Sequence, residues 1–232
     1  MTLGDMQRQQ IKELCTSYAP TFSATPGLSE WAYHSIDKGS AHPIKAQPPQ
    51  AKTAIEWEIQ DMLQMGVIRP SGSAWASPVV LVPKPDGEIR FCMDYRKLNA
   101  VTHPDNYPMP RTDELLEKLG WAQFISTLDL TKGYWQVPLD ESAKERSGFT
   151  THVGLYEFNV LPLGMRNAPA TFQRLVDSLL ARLGECAVTY LDDVAIFSDP
   201  WAEHLKHLQK VFKRIREAGL TVKDNKCQIR LK

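Results

Sequence analysis

Two adjacent aspartates, Asp192 and Asp193, stand between two short β-rich runs, residues 187–191 and 194–197. Runs of this kind around so short a polar insert predict a β-hairpin with both carboxylates at its tip. Aspartate at a turn has an ordinary structural explanation, because its side chain accepts local hydrogen bonds there. The functional explanation is a bound cation, because neighbouring carboxylates repel each other unless positive charge neutralises them. The pair alone favours the structural explanation.

A third aspartate makes the functional explanation, a bound cation, the favoured one. Asp129 lies near the end of another β-rich run, residues 124–130, between Leu128 and Leu130. If this strand lies beside the hairpin in one sheet, three carboxylates converge at the sheet edge and require a divalent ion at neutral pH. Oxygen ligands of this kind select magnesium or manganese. Two such ions about 4 Å apart stabilise the attacking and leaving oxygens of a phosphoryl displacement, which is the chemistry of a polymerase or a nuclease.

The rest of the chain interleaves strands with amphipathic helices. Apolar residues at helical spacing predict helices over residues 55–65, 112–119, 168–183 and 200–218, the last with Asp199 as its cap and Pro200 at its first position. Further β-rich runs at 78–82, 88–93, 148–152 and 155–160 predict two more hairpins. Without a strict strand-helix-strand repeat, this order predicts an α+β fold with an antiparallel sheet and helices on one face.

Composition excludes several classes of protein. The chain has 232 residues, of which 43% are hydrophobic, and its apolar runs are far shorter than a membrane span requires. Residues 1–10 are polar, so we expect an intracellular protein without a membrane partner. Four dispersed cysteines predict reduced thiols. Residues 201–232 carry nine basic and three acidic side chains, which fits either a surface for a phosphate polymer or a hydrated helix face; charge alone favours the second.

Five ordered segments resemble motifs of reverse transcriptases, in the wording of gypsy-type long-terminal-repeat retrotransposons. Residues 190–193 (Tyr-Leu-Asp-Asp) are similar to the Tyr-x-Asp-Asp box, and residues 128–136 (Leu-Asp-Leu-Thr-Lys-Gly-Tyr-Trp-Gln) to the preceding catalytic-aspartate motif. Residues 161–173 resemble the template and nucleotide-pocket segment, and residues 75–80 and 94–99 resemble the fingers. The ordered motifs cover about residues 50–232, so their combined signal is strong.

The resemblance implies the fingers and palm of a right-hand polymerase. We expect fingers over residues 51–103 and 137–167, and a palm over residues 104–136 and 168–232. Residues 1–50, with scattered prolines and weak periodicity, are expected to form an N-terminal leader packed loosely on the rest. Since the chain ends at Lys232, we expect it to lack the thumb and to stop before the family's primer grip, connection and RNase H domain.

The resemblance also implies roles for individual residues. Asp129, Asp192 and Asp193 are the expected catalytic metal-binding carboxylates, completed by the Leu130 backbone carbonyl. Their expected cofactors are two Mg²⁺ ions, with Mn²⁺ as a substitute.

A nucleotide pocket and template contacts are implied as well. Tyr134 is expected to be the aromatic gate that excludes a 2′-hydroxyl, although its residue type alone also fits a core aromatic. The expected nucleotide-binding residues are Lys84, Arg90, Lys132, Gly133, Tyr134 and Gly164, and the expected template contacts are Asn99, Arg166 and Pro169. Leu163 stands where many reverse transcriptases have glutamine, so we expect no side-chain hydrogen bond to the incoming sugar from this position.

The function implied is an RNA-directed DNA polymerase that takes an RNA or DNA template with primer and deoxynucleoside triphosphates. The alternative is a truncated retroelement remnant that folds and binds nucleic acid or a partner without efficient polymerisation. A nuclease, with RNase H carried by the parent polyprotein, is third. The expected location is the cytoplasm, including virus-like particles, or the nucleus.

Overall fold

The computed structural model describes residues 3–45, 53–83, 89–110, 117–190 and 193–231. The chain divides into two compact units. The first unit comprises residues 1–31, 107–136 and 172–232, and the second unit comprises residues 32–106 and 137–171. The assignment of leader, fingers and palm ranges stays a prediction.

The described strands are β1 (Ile68–Pro70), β2 (Ser77–Pro83), β3 (Ile89–Met93), β4 (Phe124–Asp129), β5 (Phe149–Thr151), β6 (Gly154–Phe158), β7 (Ala187–Tyr190), β8 (Asp193–Ser198) and β9 (Gln228–Leu231). The described α-helices are α1 (Asp5–Ser17), α2 (Thr53–Gln64), α3 (Arg96–Val101), α4 (Glu141–Arg146), α5 (Ala168–Leu179) and α6 (Trp201–Glu217). Short 3-10 helices are Ala19–Thr21, Gly133–Gln136 and Asp224–Lys226. The helix predicted from residue 112 falls largely outside the described residues, and 117–120 are helical. Within the described part of the chain, no helix is both long and apolar enough to cross a membrane.

The first unit contains an antiparallel sheet with strand order β7-β8-β4-β9. Alternate β4 residues are buried on one face, where His204 of α6 contacts Ser126 and Gln173 of α5 contacts Thr189. Successive strand residues point to opposite faces, so Asp129 lies on the face away from α5 and α6. The predicted antiparallel sheet with helices on one face is confirmed.

The second unit contains a mixed sheet with strand order β1-β6-β5-β2-β3. Both predicted hairpins are present, β2 with β3 and β5 with β6, and β2 also pairs in parallel with β5. The tip of the first hairpin, residues 84–88, lies outside the described residues. Tyr95, which follows β3, is buried and donates its hydroxyl hydrogen to the Ser147 carbonyl at 2.9 Å.

The N-terminal segment packs more tightly than the sequence indicated. Helix α1 buries no residue, but the rings of Tyr18 and Phe22 lie 5.6 and 5.3 Å from the Phe212 ring. Gly27 is so close to Gly219 that a Cβ on Gly27 would lie 2.2 Å from the Gly219 carbonyl oxygen. Loose packing was therefore the wrong expectation for this stretch, because single aromatic anchors between turns leave no periodic signal.

Helix α6 begins one residue later than predicted. Its first residue is Trp201, and Pro200 is the N-cap, with extended backbone angles of φ −86° and ψ −173° and no side-chain capping bond. Asp199 therefore does not cap the helix. The apolar face was predicted correctly, with Leu208, Val211 and other α6 residues buried.

Candidate active site

Asp129 and Asp193 are direct partners in the antiparallel ladder of the first unit. Asp129 ends β4, Asp193 begins β8, and the register pairs the two residues. Directly opposed residues in such a ladder have Cβ atoms about 5 Å apart. Two of the three predicted carboxylates therefore meet at the ends of the two central strands of the sheet. Asp192 and Leu191 lie outside the described residues.

The pKa of the Asp193 carboxyl depends on its burial and on two neighbouring charges. Burial, followed by the neighbouring charge of Asp129, raises the pKa of the Asp193 carboxyl, and the Lys226 charge acts in the opposite direction. The Lys226 ammonium lies 2.9 Å from Asp129 Oδ2, with side-chain exposures of 56% and 21% respectively. A lysine that sequence reasoning missed therefore neutralises part of the carboxylate pair.

Backbone contacts hold Lys226 in this position. The Lys223 N–H donates to the Asp129 carbonyl at 2.9 Å, and the 3-10 helix Asp224–Lys226 follows at once. The next strand, β9, pairs with β4. The sequence offered one indication of a site lysine, the basic composition of residues 201–232. This composition does not distinguish Lys226 from its neighbours.

The turn after Asp129 contains several of the predicted site residues. The Gly133 N–H donates to the Leu130 carbonyl at 3.1 Å, so a residue predicted to bind the nucleotide is hydrogen-bonded to the carbonyl predicted to bind a metal. The carbonyl keeps a second lone pair, whereas the N–H would have to leave this bond. Lys132 has a left-handed φ of 47°, and its ammonium lies 4.2 Å from the centroid of the Trp135 ring.

Tyr134 and Gln136 complete this turn. Tyr134 is half-buried, and its ring centroid lies 5.0 Å from that of Phe172. Gln136 is fully buried and was missed by sequence reasoning. Its amide nitrogen donates to the carbonyls of Thr131 and Thr221, and its amide oxygen accepts from the N–H groups of Gly27 and Thr221. Gln136 therefore fixes the turn to two distant segments of the first unit.

Three of the predicted site residues are hydrogen-bonded to one another in the second unit. The Asn99 side chain donates to the Gly164 carbonyl and accepts from the Arg166 N–H, both at 2.8 Å. The Arg166 guanidinium donates to the carbonyls of Asn99 and Thr102 at 3.1 and 3.3 Å. Gly164 has a φ of +96°, a conformation that favours glycine. Asn99 and Arg166 therefore shape the Gly164 loop, whatever else they contact.

The remaining predicted residues are exposed or incompletely described. Pro169 is exposed at the second position of α5, and Leu163 is 63% exposed. Lys84 lies outside the described residues, and the Arg90 backbone pairs with Val82 in the β2–β3 ladder. Among the described residues, no group of three His, Cys, Asp or Glu side chains could hold a metal ion.

The first unit is therefore an α+β domain whose antiparallel sheet carries paired aspartates on the face away from α5 and α6. The family model described as reverse transcriptase (RNA-dependent DNA polymerase) matches residues 82–232. The chain belongs to this family, whose members use divalent metal ions. The resemblance to gypsy-type elements is confirmed by the relatives that follow.

Two curated relatives come from Drosophila melanogaster. The chain is 43% identical over 205 residues to the retrovirus-related Pol polyprotein from transposon 297, covering 84% of this chain and 19% of the relative. It is 40% identical over 178 residues to that from transposon gypsy, covering 74% and 17%. The chain thus spans about a fifth of the length of these relatives. The foamy viral protease-reverse transcriptase in complex with RNA/DNA hybrid matches 98% of this chain and 32% of its own, with a TM-score of 0.89 and 28% identity.

Proposed function

We propose that this chain carries the catalytic centre of an RNA-directed DNA polymerase. In this reaction a primer 3′-hydroxyl attacks a deoxynucleoside triphosphate opposite a template base and releases pyrophosphate. The observation that carries the proposal is the β4–β8 register, which pairs Asp129 with Asp193 on the face away from α5 and α6. Family membership supports the same reaction.

The carboxylates fit divalent ions. Asp129 and Asp193 supply hard oxygen ligands, and burial, followed by the neighbouring charge of Asp129, raises the pKa of the Asp193 carboxyl. Asp129, Asp192, Asp193 and the Leu130 carbonyl would hold two Mg²⁺ ions, with Mn²⁺ as a substitute. When bound, two such ions stabilise charge on the attacking and leaving oxygens of a phosphoryl transfer.

The other residues orient the nucleotide. Tyr134 is the gate against a 2′-hydroxyl, and the Phe172 ring behind it at 5.0 Å limits how far the gate can retreat. Lys84 and Arg90 offset triphosphate charge. Lys132 and Gly133 offer backbone N–H groups to the triphosphate, that of Gly133 once it leaves the Leu130 carbonyl. Gly164 lets the backbone approach the nascent pair.

The partners are an RNA or DNA template with its primer and deoxynucleoside triphosphates. The similar foamy viral protease-reverse transcriptase is in complex with RNA/DNA hybrid, which supports a nucleic-acid partner of this kind. Asn99, Arg166 and Pro169 contact the template. Asn99 and Arg166 are held by hydrogen bonds around Gly164, so their exposed atoms meet the strand in a fixed arrangement. The cytoplasmic or nuclear location stays a prediction.

Primer extension on an RNA template with Mg²⁺ tests the proposal. We expect Asp129→Asn and Asp192→Asn to lower the extension rate by more than about 100-fold, since even outer-shell residues of metal sites are worth 10- to 100-fold. Glu185→Gln, which changes an exposed carboxylate of the same unit, is the matched control and should extend normally. Extension that survives both aspartate variants would contradict the proposal. No extension by a folded wild-type chain would favour the retroelement remnant.

A further inference from the structure

Lys226 is placed against the carboxylate that the proposed function assigns to a metal. Its ammonium lies 2.9 Å from Asp129 Oδ2, and its charge also acts on Asp193. The two residues of this ion pair are 97 positions apart in the chain. By contrast, the exposed Lys206 pairs with Glu203 only three residues away.

The backbone around Lys226 fixes where its side chain begins. The Lys226 N–H donates to the Lys223 carbonyl at 3.1 Å, and the Cys227 thiol donates to the same carbonyl at 3.3 Å. Lys223 in turn donates its N–H to the Asp129 carbonyl. Both the carbonyl and the carboxylate of Asp129 are therefore bound by one short segment, residues 223–226.

A lysine ammonium and a divalent ion compete for the same carboxylate oxygen, because each is a compact positive charge and the two repel at close range. The Lys226 side chain is 56% exposed and flexible, so it can move into water without leaving a buried charge. Asp129, at 21% exposure, stays in the sheet. Replacement of the Lys226 ammonium by a divalent ion at Asp129 thus requires a movement of the lysine side chain.

Resting on the proposed function, we propose that Lys226 is a built-in counter-ion. It neutralises the Asp129–Asp193 pair when no metal is bound and releases Asp129 when a divalent ion enters. Lys226 therefore stabilises the metal-free fold and raises the metal concentration that the site requires. Removal of its charge should tighten metal binding about two- to five-fold, the range expected for loss of an exposed ion pair.

Titration of the chain with Mn²⁺, followed by the paramagnetic resonance signal of the free ion, tests this exchange without any polymerase assay. We expect Lys226→Gln to bind Mn²⁺ about two- to five-fold more tightly than wild type. Lys226→Arg, which keeps the charge, and Lys223→Gln, which removes a neighbouring charge, should bind as wild type does. Thermal unfolding in EDTA should show Lys226→Gln melting below wild type, and Mn²⁺ should raise its melting temperature by more.

The outcomes separate the two proposals. If Asp129→Asn abolishes Mn²⁺ binding but Lys226→Gln binds with wild-type or weaker affinity, the counter-ion is refuted while the catalytic centre stands. If the folded wild-type chain binds no Mn²⁺, both proposals fail. Should Lys226→Gln not fold, as judged by far-ultraviolet circular dichroism, Lys226→Met replaces it and the same affinities decide.

Discussion

The two units bury their sheets in different ways. In the second unit the rings of Phe91, Tyr156 and Phe158 surround Phe149, with centroids 6.1, 5.9 and 5.2 Å from the Phe149 ring. In the first unit the sheet–helix interface contains buried polar groups, among them His204, in addition to buried apolar side chains. An aromatic core depends on volume and shape, whereas a polar interface depends on hydrogen bonds and charge.

The polar interface of the first unit is a chain of four side chains. Ser126 Oγ lies 2.7 Å from His204 Nε2, and His204 Nδ1 lies 3.1 Å from Ser198 Oγ. Ser198 Oγ then lies 2.6 Å from His207 Nδ1. Because Ser126 belongs to β4 and Ser198 to β8, this chain joins α6 to the two strands that carry Asp129 and Asp193. The hydrogen bonds of this chain fix α6 in one position on the sheet. Apolar packing alone fixes a helix less strictly.

The largest stability effect should come from the aromatic core. Phe149→Ala removes a fully buried ring, and we expect it to lower the free energy of unfolding by about 3–5 kcal/mol. Urea unfolding at neutral pH measures the loss. Trp57→Ala, at a 75% exposed side chain of the same unit, is the control and should change stability by less than about 0.5 kcal/mol. A small effect of Phe149→Ala would mean that the second unit does not depend on this core.

Protonation of His204 should weaken the polar interface as pH falls. Burial, and then the His207 charge, lower the pKa of His204 to about 4. The unfolded histidine titrates near about pH 6.5, so the unfolded state binds the proton more tightly. The contribution of neutral His204 is complete above that pH and is lost as pH falls toward 4. The full loss amounts to about 3 kcal/mol.

Urea unfolding between about pH 7.5 and about pH 4.5 measures how steeply the free energy of unfolding falls with pH. His204→Asn should make the free energy of unfolding depend less on pH. His34→Asn is the matched variant in the second unit, since burial also lowers the pKa of His34 to about 4, against the opposing charges of Asp140 and Asp105. If His204→Asn keeps the wild-type slope, protonation of the polar interface does not set the acid sensitivity.

A smaller effect is expected where two backbones meet. Gly27→Ala would place a Cβ 2.2 Å from the Gly219 carbonyl oxygen, so the N-terminal segment must shift. We expect a loss of about 1–3 kcal/mol in thermal or urea unfolding. Gly184→Ala, in the same unit and with open space around its Cβ, is the control. Equal stability of the two variants would show that the segment near Gly27 packs loosely after all.

Local signals predicted the elements well. Turn residues between apolar runs predicted the β2–β3, β5–β6 and β7–β8 hairpins, and Gly66 and Gly219, each with a φ of 69°, follow the ends of α2 and α6. The start of α6 was placed wrongly because Pro200 suits either the cap or the first turn. Short strands such as β1 and β9 were missed, since three or four residues carry too little pattern.

The amino-acid sequence by itself determined the α+β class, the hairpin strands and the family, and it nominated three aspartates as candidates, because each depends on residues close together in the chain. Tertiary structure alone decided that Asp129 faces Asp193, that Lys226 reaches Asp129 across 97 positions, and that Gln136 binds Gly27 and Thr221. Strand register and long-range side-chain contacts depend on how all elements pack together, and no short segment of sequence contains that information.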